Sequence, residues 1–338
     1  PKVRVPSGPK ALLHFGEIRL EESMKPADLL GCAGATLLLL LLSQLIPVVG
    51  LLPGILIPQP FILYSVRLGS LQGAKVAAAT FLIVFLTALL MGVPRATLLC
   101  LELGILGLFL AELYRRRQGI GRTVLLGTAA LVLMGLILLL AVGIPSGKAP
   151  WTLILDYFRS NLNETVRSYE GLGLGPEGVA RLREYGRHIG AIVERVYPSL
   201  LVTGAAVVVW VNVLVSRRVL RMRDLPAPEF EPLDRWRSPE GLVWGFIGAG
   251  FAFFLPWSGV RFVAVNALVV IASVYTFHGL AILQFYLKKF RFPRFLRLVA
   301  YLLILMQQIL LVGLALAGLF DQWIDFRKIF KKRAIPND

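Results

Sequence analysis

Apolar stretches long enough to cross a lipid bilayer recur along this chain, and no other feature constrains its fold as strongly. A transmembrane helix needs about 20 consecutive, mainly apolar residues. Such stretches lie at about 29–49, 71–91, 96–114, 123–142, 200–219, 260–287 and 295–320. Two shorter ones lie at about 51–66 and 241–255. The sequence therefore predicts an all-α integral membrane protein, a polytopic helical bundle of about 8–9 transmembrane helices.

The composition agrees with this class. The chain is 57% hydrophobic and only 17% charged, whereas soluble domains are about 25% charged. Its net charge of +16 is of the kind found in nucleic-acid-binding proteins. Here, however, the arginines cluster in short loops beside the apolar stretches, as expected of the cytoplasmic loops of membrane proteins. We therefore expect the lipid bilayer, and no nucleic acid, as a partner.

The basic loops also predict an orientation. The loops at 115–122, 217–237 and 288–297 carry four, six and five basic residues, and each is two spans from the next. The positive-inside rule places all three in the cytoplasm. We expect a bacterial cytoplasmic (inner) membrane protein with a cytoplasmic N-terminus. Nine spans would leave the basic tail outside, so either the last span is re-entrant or the chain crosses once more.

A long polar segment, residues 144–197, separates the fifth and sixth apolar stretches. Apolar residues recur at helical spacing on both sides of the glycine-rich residues 171–175, which predicts an extracytoplasmic amphipathic helical hairpin. We expect residues 1–23 to be a fusion remnant or a mis-called leader. The predicted divisions are a cytoplasmic N-terminal segment (1–28), a six-helix membrane core (29–220), a cytoplasmic linker (221–240), C-terminal membrane helices (241–326) and a basic tail (327–338).

The short apolar stretch at about 51–66 contains several prolines. Pro53, Pro58 and Pro60 predict a short helix that is bent or partly re-entrant. Proline at membrane depth is tolerated where the freed backbone groups are buried in protein or line a cavity. Gln59 lies between two of these prolines. Interrupted helices carry binding sites in many transporters, so Gln59 is either a ligand-binding residue or a structural one.

Other polar residues fall inside predicted spans. Glu102 should face a cavity or a partner, or be protonated, because a charge at the bilayer centre costs about 2.5–3.5 kcal/mol. It is either a site residue or a structural hydrogen-bond partner. Asn212 lies in the sixth span, and for His278 we favour a helix–helix hydrogen bond over a ligand role. Gly31 and Ala35 form a small-xxx-small pair for packing within the bundle or for a membrane partner subunit.

Three patterns carry a resemblance to a known family. They are Leu52-Pro53…Pro58-Gln59-Pro60 followed by Val66-Arg67-Leu68-Gly69, then His278-Gly279-Leu280-Ala281-Ile282, and Gly318-Leu319-Phe320-Asp321…Asp325-Phe326-Arg327. With them the chain resembles the DUF2232 (YybS-like) family of predicted bacterial membrane proteins. That family is distantly similar to the S components of energy-coupling-factor transporters. The resemblance implies an S-component-like six-helix core with a ligand pocket on its outer side, capped by loops at the position of 144–197.

Two functions are compatible with these patterns. The first is a small-molecule binding or uptake component, with Gln59, Glu102 and Asn212 lining a pocket beneath Trp151 and Tyr157. The alternative is a non-transporting membrane scaffold or assembly factor that holds a partner on its basic cytoplasmic face and linker. We expect no enzyme, no cofactor and no metal site, because the sequence has neither the His/Glu spacing of metal sites nor a nucleophile elbow.

Overall fold

The computed structural model describes residues 25–45, 50–93, 95–171, 175–228, 230 and 232–329. Within these ranges the regular elements are helices, which confirms the all-α prediction. They are α1 (Pro26–Leu45), α2 (Leu51–Ile55), α3 (Pro58–Leu68), α4 (Ser70–Leu90), α5 (Arg95–Arg115), α6 (Ile120–Ser146), α7 (Pro150–Gly171), α8 (Pro176–Met222), a 3₁₀ turn (Leu233–Arg235), α9 (Leu242–Phe253), α10 (Ser258–Lys289), α11 (Arg294–Met306), α12 (Gln308–Ile324) and α13 (Phe326–Ile329). Predictions for 1–23, 172–174 and 330–338 lie outside the described residues.

Six helices are long and apolar enough to cross a membrane. They span Pro26–Gln44, Ser70–Leu90, Thr97–Arg115, Ile120–Ser146, Glu177–Met222 and Ser258–Lys289. The pair Arg294–Ile304 and Gln308–Ile324 would make a seventh if it is one bent span. The predicted short spans appear as two short apolar segments, Leu52–Leu68, which comprises α2 and α3, and Leu242–Phe253. At about 1.5 Å per residue both are shorter than a bilayer core of about 30 Å.

The chain divides into two compact units. The first joins the residues up to Gln118 with Trp210–Pro228. In it α3 packs against α4 and α5, and α1 packs against α4. The rings of Phe61 and Phe81 stack with centroids 5.1 Å apart. Gly107 lets α5 approach α3 closely, because a Cβ atom there would lie 2.7 Å from the Pro58 carbonyl oxygen.

The second unit comprises Gly119–Val209 and the chain from Glu229 onwards. Here α10 packs against α9, α12 and the 3₁₀ turn. The α10–α12 crossing depends on two glycines. A Cβ atom on Gly279 would lie 2.1 Å from the Leu314 carbonyl oxygen, and one on Gly318 would lie 2.1 Å from the Tyr275 carbonyl oxygen. Both obstacles are backbone atoms, so neither position accommodates a side chain without moving a helix.

The polar segment forms two antiparallel helical stretches. Leu162 of α7 packs over Gly186 of α8, and Arg159 pairs with Glu194. One feature differs from the prediction. The second amphipathic helix does not end near residue 197 but continues through Pro198 into the sixth apolar stretch as a single helix of 47 residues.

The last predicted span, at about 295–320, is not straight. α11 and α12 meet at 101°, and Gln307 between them has extended backbone angles (φ −110°, ψ 101°). α12 then runs beside α10 in the same direction, because His278 contacts Asp321 and Tyr286 farther along donates to the Phe326 carbonyl oxygen (2.6 Å). The start of the basic tail therefore lies at the same end of α10 as Lys288.

Candidate functional site

Two of the predicted ligand-binding residues, Gln59 and Asn212, lie together in the first unit. The Gln59 Nε2 atom donates to the Asn212 side-chain oxygen (2.8 Å) and to its backbone oxygen (3.0 Å). The Asn212 Nδ2 atom donates to the Ile55 carbonyl oxygen (2.8 Å). Asn212 is fully buried. Sequence reasoning thus selected two residues that meet in space although they are 153 positions apart.

This pair repairs the break between α2 and α3. In a continuous helix the Gln59 N–H would donate to the Ile55 carbonyl, but it donates to Leu56 instead (2.9 Å). The Ile55 carbonyl then needs another donor, since an unpaired buried carbonyl costs about 1–3 kcal/mol. Asn212 supplies that donor. The amides of Gln59 and Asn212 are thus engaged with protein, and their ligand role stays a prediction.

The other predicted ligand-binding residues, Glu102, Trp151 and Tyr157, form no hydrogen bond with Gln59 or Asn212 within the described residues. Glu102 lies half-buried on α5 and has no hydrogen bond or ion pair within the described residues. Trp151 and Tyr157 lie on α7 in the second unit, with 54% and 70% of their surface exposed.

The Gly31/Ala35 pair on α1 lies within the first unit. A Cβ atom on Gly31 would lie 1.9 Å from the Tyr64 hydroxyl of α3. Gly31 is therefore used for packing inside its own unit, which is one of the two interpretations that the sequence left open. Ala35 is half-buried.

A second proline break, at Pro198 in α8, is repaired by Asn266 of α10. The Asn266 Oδ1 atom accepts from the Ser199 N–H (2.9 Å), and its Nδ2 atom donates to the Arg195 carbonyl (2.8 Å). Those two backbone groups would bond to each other in an unbroken helix. The asparagine amide is inserted between them, which explains how α8 continues past a proline. Asn266 falls within the predicted span at about 260–287, and sequence reasoning did not foresee this role.

A buried polar network lies in the second unit, between α10, α12 and the segment before α9. His278 Nδ1 lies 3.0 Å from Ser238 Oγ, and His278 Nε2 lies 3.1 Å from Asp321 Oδ2. The Gln322 amide donates to Ser238 Oγ (3.2 Å), and the Phe326 N–H donates to Asp321 Oδ1 (2.8 Å). Ser238, His278 and Asp321 are 5%, 1% and 1% exposed. We call these five residues the linker clamp.

A single tautomer satisfies the linker clamp. A neutral imidazole with its proton on Nε2 donates to Asp321, and its Nδ1 atom accepts the Ser238 hydroxyl proton. The Ser238 oxygen in turn accepts from Gln322. Every donor then faces an acceptor, as a buried polar network requires. The expectation of a helix–helix hydrogen bond for His278 agrees with this geometry.

Further contacts fix residues 232–239 around the clamp. The Arg327 guanidinium donates to the carbonyl oxygens of Arg235 (3.1 Å) and Trp236 (2.8 Å). The Trp236 ring meets the His278 ring edge-on, with centroids 6.0 Å apart. Asp234 pairs with Lys288 (2.5 Å). Partial burial would raise the pKa of Asp234, but the hydrogen bond from Lys288 and its charge hold that pKa below its usual value.

A second carboxylate, Asp325, pairs with Arg237 and Lys328, each at 2.9 Å. Partial burial would raise the pKa of Asp325, but the hydrogen bonds and charges of these two partners outweigh it and set the pKa at about 2. Burial lowers the pKa of Arg327, against the opposing charge of Asp321. Asp325 is therefore ionised at neutral pH and ties residue 237 to the end of α12.

The hydrogen bonds link Ser238, His278 and Asp321 in the same sequence as the side chains of a hydrolase triad, but Ser238 is not accessible as a nucleophile would be. A nucleophilic serine must be reachable by a substrate carbonyl, and Ser238 is only 5% exposed. Its oxygen also receives the Gln322 amide. In this conformation the network holds a segment of chain in place. Within the described residues, no group of three His, Cys, Asp or Glu side chains is placed to hold a metal ion.

Comparisons with known proteins found similar chains. A model of the family described as "Predicted membrane protein (DUF2232)" matches residues 34–322. The chain is 21% identical over 297 residues to the "Uncharacterized protein YybS" of Bacillus subtilis (strain 168), a match covering 86% of this chain and 93% of that protein. No solved structure matches this chain significantly. Two of the motifs that carried the resemblance, around His278 and around Asp321, meet in the linker clamp.

Proposed function

We propose a function for this chain, which belongs to the DUF2232 family of predicted membrane proteins: it is a non-transporting membrane scaffold that presents residues 232–239 to a partner. The observation that carries the proposal is the linker clamp. A segment with little regular structure would be mobile if it were merely a connection. Here side chains of α10, α12 and α13, together with Asp325 between the last two, fix it.

The charges around this segment suggest the chemistry of the partner. Two aspartates lie beside the linker clamp, and both are in ion pairs. Asp234 pairs with Lys288, and Asp325 pairs with Arg237 and Lys328. Arg235, Lys289 and Arg291 are exposed. An acidic protein segment would complement this surface and be steered towards it. By the distribution of basic loops, we place this surface on the cytoplasmic side.

Photocrosslinking tests the scaffold directly. A benzoylphenylalanine at Arg235, in native membranes, should crosslink one discrete partner, and the same residue at the exposed Ser160 of α7 should not. Arg291→Glu with Lys289→Glu should reduce the adduct several-fold, because it removes the complementary charge. Absence of an adduct specific to position 235, or an adduct unaffected by charge reversal, would contradict the proposal.

The linker clamp itself supplies a second arm of this test. His278→Ala should weaken the crosslink at Arg235, because the segment that carries Arg235 is no longer fixed. His278→Gln, whose amide can replace one hydrogen bond, should lose less. If both variants crosslink as well as the unmodified protein, the clamp does not organise the surface.

One observation favours the alternative function, binding of a small molecule. Glu102 is half-buried in a membrane helix with no hydrogen bond or ion pair within the described residues. An ionisable group in such a place indicates a site by default, and the S-component resemblance implies a ligand pocket in the same half of the chain. A panel of metabolites should then raise the melting temperature of the purified protein, and Glu102→Gln should abolish the shift. No shift with any compound would remove this candidate.

A further inference from the structure

The first half of α8 carries an apolar seam separate from the linker clamp. Leu182, Tyr185, Ile189, Ile192 and Val196 follow the 3-4-3-4 spacing of the a and d positions in a coiled coil. Its three central residues, Tyr185, Ile189 and Ile192, are 67%, 49% and 61% exposed. Coiled-coil seams of this kind are normally covered by another helix.

The seam is not the face that meets α7. Gly186 and Gly190 face Leu162 and Phe158 of α7. Each of these glycines follows a seam residue, so it lies about 100° further around the helix. The contact with α7 therefore leaves the seam open on a neighbouring face.

Lipid chains are not a suitable cover for this seam. Charged side chains are interspersed with it, including Arg183, Arg187 and Glu194, and charges within the hydrocarbon are costly. α8 has 47 residues, about 70 Å at 1.5 Å per residue, more than twice a bilayer core. Its seam-bearing half is thus the part that projects into water.

The charges beside the seam define the partner. With Leu182 as an a position, the g positions are Arg181, His188 and Arg195, and the e positions are Gly186 and Val193. Within the part of the chain that the structure describes, the ion-pair contacts of Arg181 and His188, with Glu177 at 3.8 Å and Glu184 at 3.9 Å, are long and exposed. Such pairs stabilise little. The flank that carries Arg181 and Arg195 is therefore basic, and the other flank is neutral.

A second copy of this chain complements the seam poorly. In an antiparallel pair the g positions face each other, which would oppose arginine to arginine. In a parallel pair they face glycine and valine, with no charge attraction. We propose that residues 181–196 of α8 bind an amphipathic helix of a partner protein, whose a and d residues are apolar and whose flanking positions are acidic.

Designed peptides test this proposal on the full chain in lipid nanodiscs. The probe is a labelled 28-residue helix with leucine at a and d and glutamate at e and g, and its twin carries lysine instead of glutamate. Fluorescence anisotropy should show binding of the glutamate peptide and at least about tenfold weaker binding of the lysine peptide. Arg181→Glu with Arg195→Glu should reverse that preference.

Seam variants separate docking from general attraction to a basic protein. Ile189→Asp with Ile192→Asp should weaken the glutamate peptide about tenfold or more, and the control Ser160→Asp with Ser168→Asp on α7, which adds the same charge, should not. All four positions are exposed, so unchanged melting temperatures should show that the variants fold. Equal binding by both double variants, or a dimer of the unmodified chain that the seam variant abolishes, would overturn the proposal.

Discussion

Asparagine amides act in this protein as replacements for missing backbone hydrogen bonds. Asn266 does so at Pro198, and Asn212 does so at the α2–α3 break. A buried backbone group that loses its partner costs about 1–3 kcal/mol. Both asparagines should therefore be required for stability whether or not any ligand binds.

For Asn266, removal of the proline that interrupts α8 provides a control. Asn266→Ala should lower the unfolding free energy by about 2–4 kcal/mol, because it strands Ser199 N–H and Arg195 C=O. Adding Pro198→Ala should restore much of that loss, since the two backbone groups can then bond to each other. Thermal unfolding in detergent measures both effects. If the second change gives no recovery, Asn266 acts in some other way.

The contributions of Asn212 and Gln59 to the unfolding free energy should be coupled, because their amides are hydrogen-bonded to each other. Asn212→Ala should destabilise the protein by about 1–3 kcal/mol, and Gln59→Ala should add little in that background because its partner is already gone. A double-mutant cycle by thermal unfolding measures the coupling. Additive losses would show that the two amides do not act as a pair.

The ion pairs of Asp325 make a pH-dependent contribution. Its pKa of about 2 lies below the ordinary value of 3.8, so the contribution is complete above pH 3.8 and is lost as the pH falls towards 2. Asp325→Asn should therefore melt a few degrees lower than the unmodified protein at neutral pH. The gap should close below pH 3.8. A gap that is constant down to pH 2 would contradict the assignment.

Among the elements, the α10–α12 pair allows the sharpest prediction. Gly279→Ala would place a methyl group 2.1 Å from a carbonyl oxygen of α12, so the helices must separate and the linker clamp must open. We expect a loss of several kcal/mol, as for other overpacked interfaces. Gly313→Ala on α12 has open space around it and should be nearly neutral. Equal melting temperatures for the two variants would contradict this crossing.

Periodicity and length predicted most elements but not their junctions. Twenty-residue apolar runs predicted α1, α4, α5, α6 and α10, and helical spacing predicted α7 and the start of α8. The continuity of α8 through Pro198 could not be predicted, because it depends on Asn266, 67 positions later. The position of the break at Gln307 could not be predicted either, because Gln307 and Gln308 lie at the midpoint of the apolar stretch 295–320.

The site was predictable in part, for the same reason. Gln59 was selected because prolines flank it, and it does lie at the α2–α3 break, while its ligand role stays a prediction. The linker clamp draws Ser238, His278 and Asp321 from three separate elements, and the separation of His278 from Asp321 follows no local period. His278 was singled out as a polar residue inside a predicted span, whereas Asp321 came only from a family pattern, and neither signal revealed that the two meet.

At the scale of the whole molecule, the parallel course of α10 and α12 predicts a topology. Cysteines introduced at Lys289 and Lys328, both exposed, should react with an impermeant reagent from the same side of the membrane. A cysteine at Ser258, at the other end of α10, should react from the opposite side. The native Cys32 and Cys100 are buried and should not react with the reagent. Labelling of 289 and 328 from opposite sides would contradict the fold.

The Asn266 repair of α8 also has a consequence for synthesis. A ribosome adds about 5–20 residues each second, so the amide that completes α8 is made several seconds after Ser199, 67 residues earlier. During that interval Arg195 C=O and Ser199 N–H have only water or the translocation machinery as partners. α8 can therefore settle fully only after α10 has entered the membrane, and a stalled chain ending between them would retain an incomplete helix.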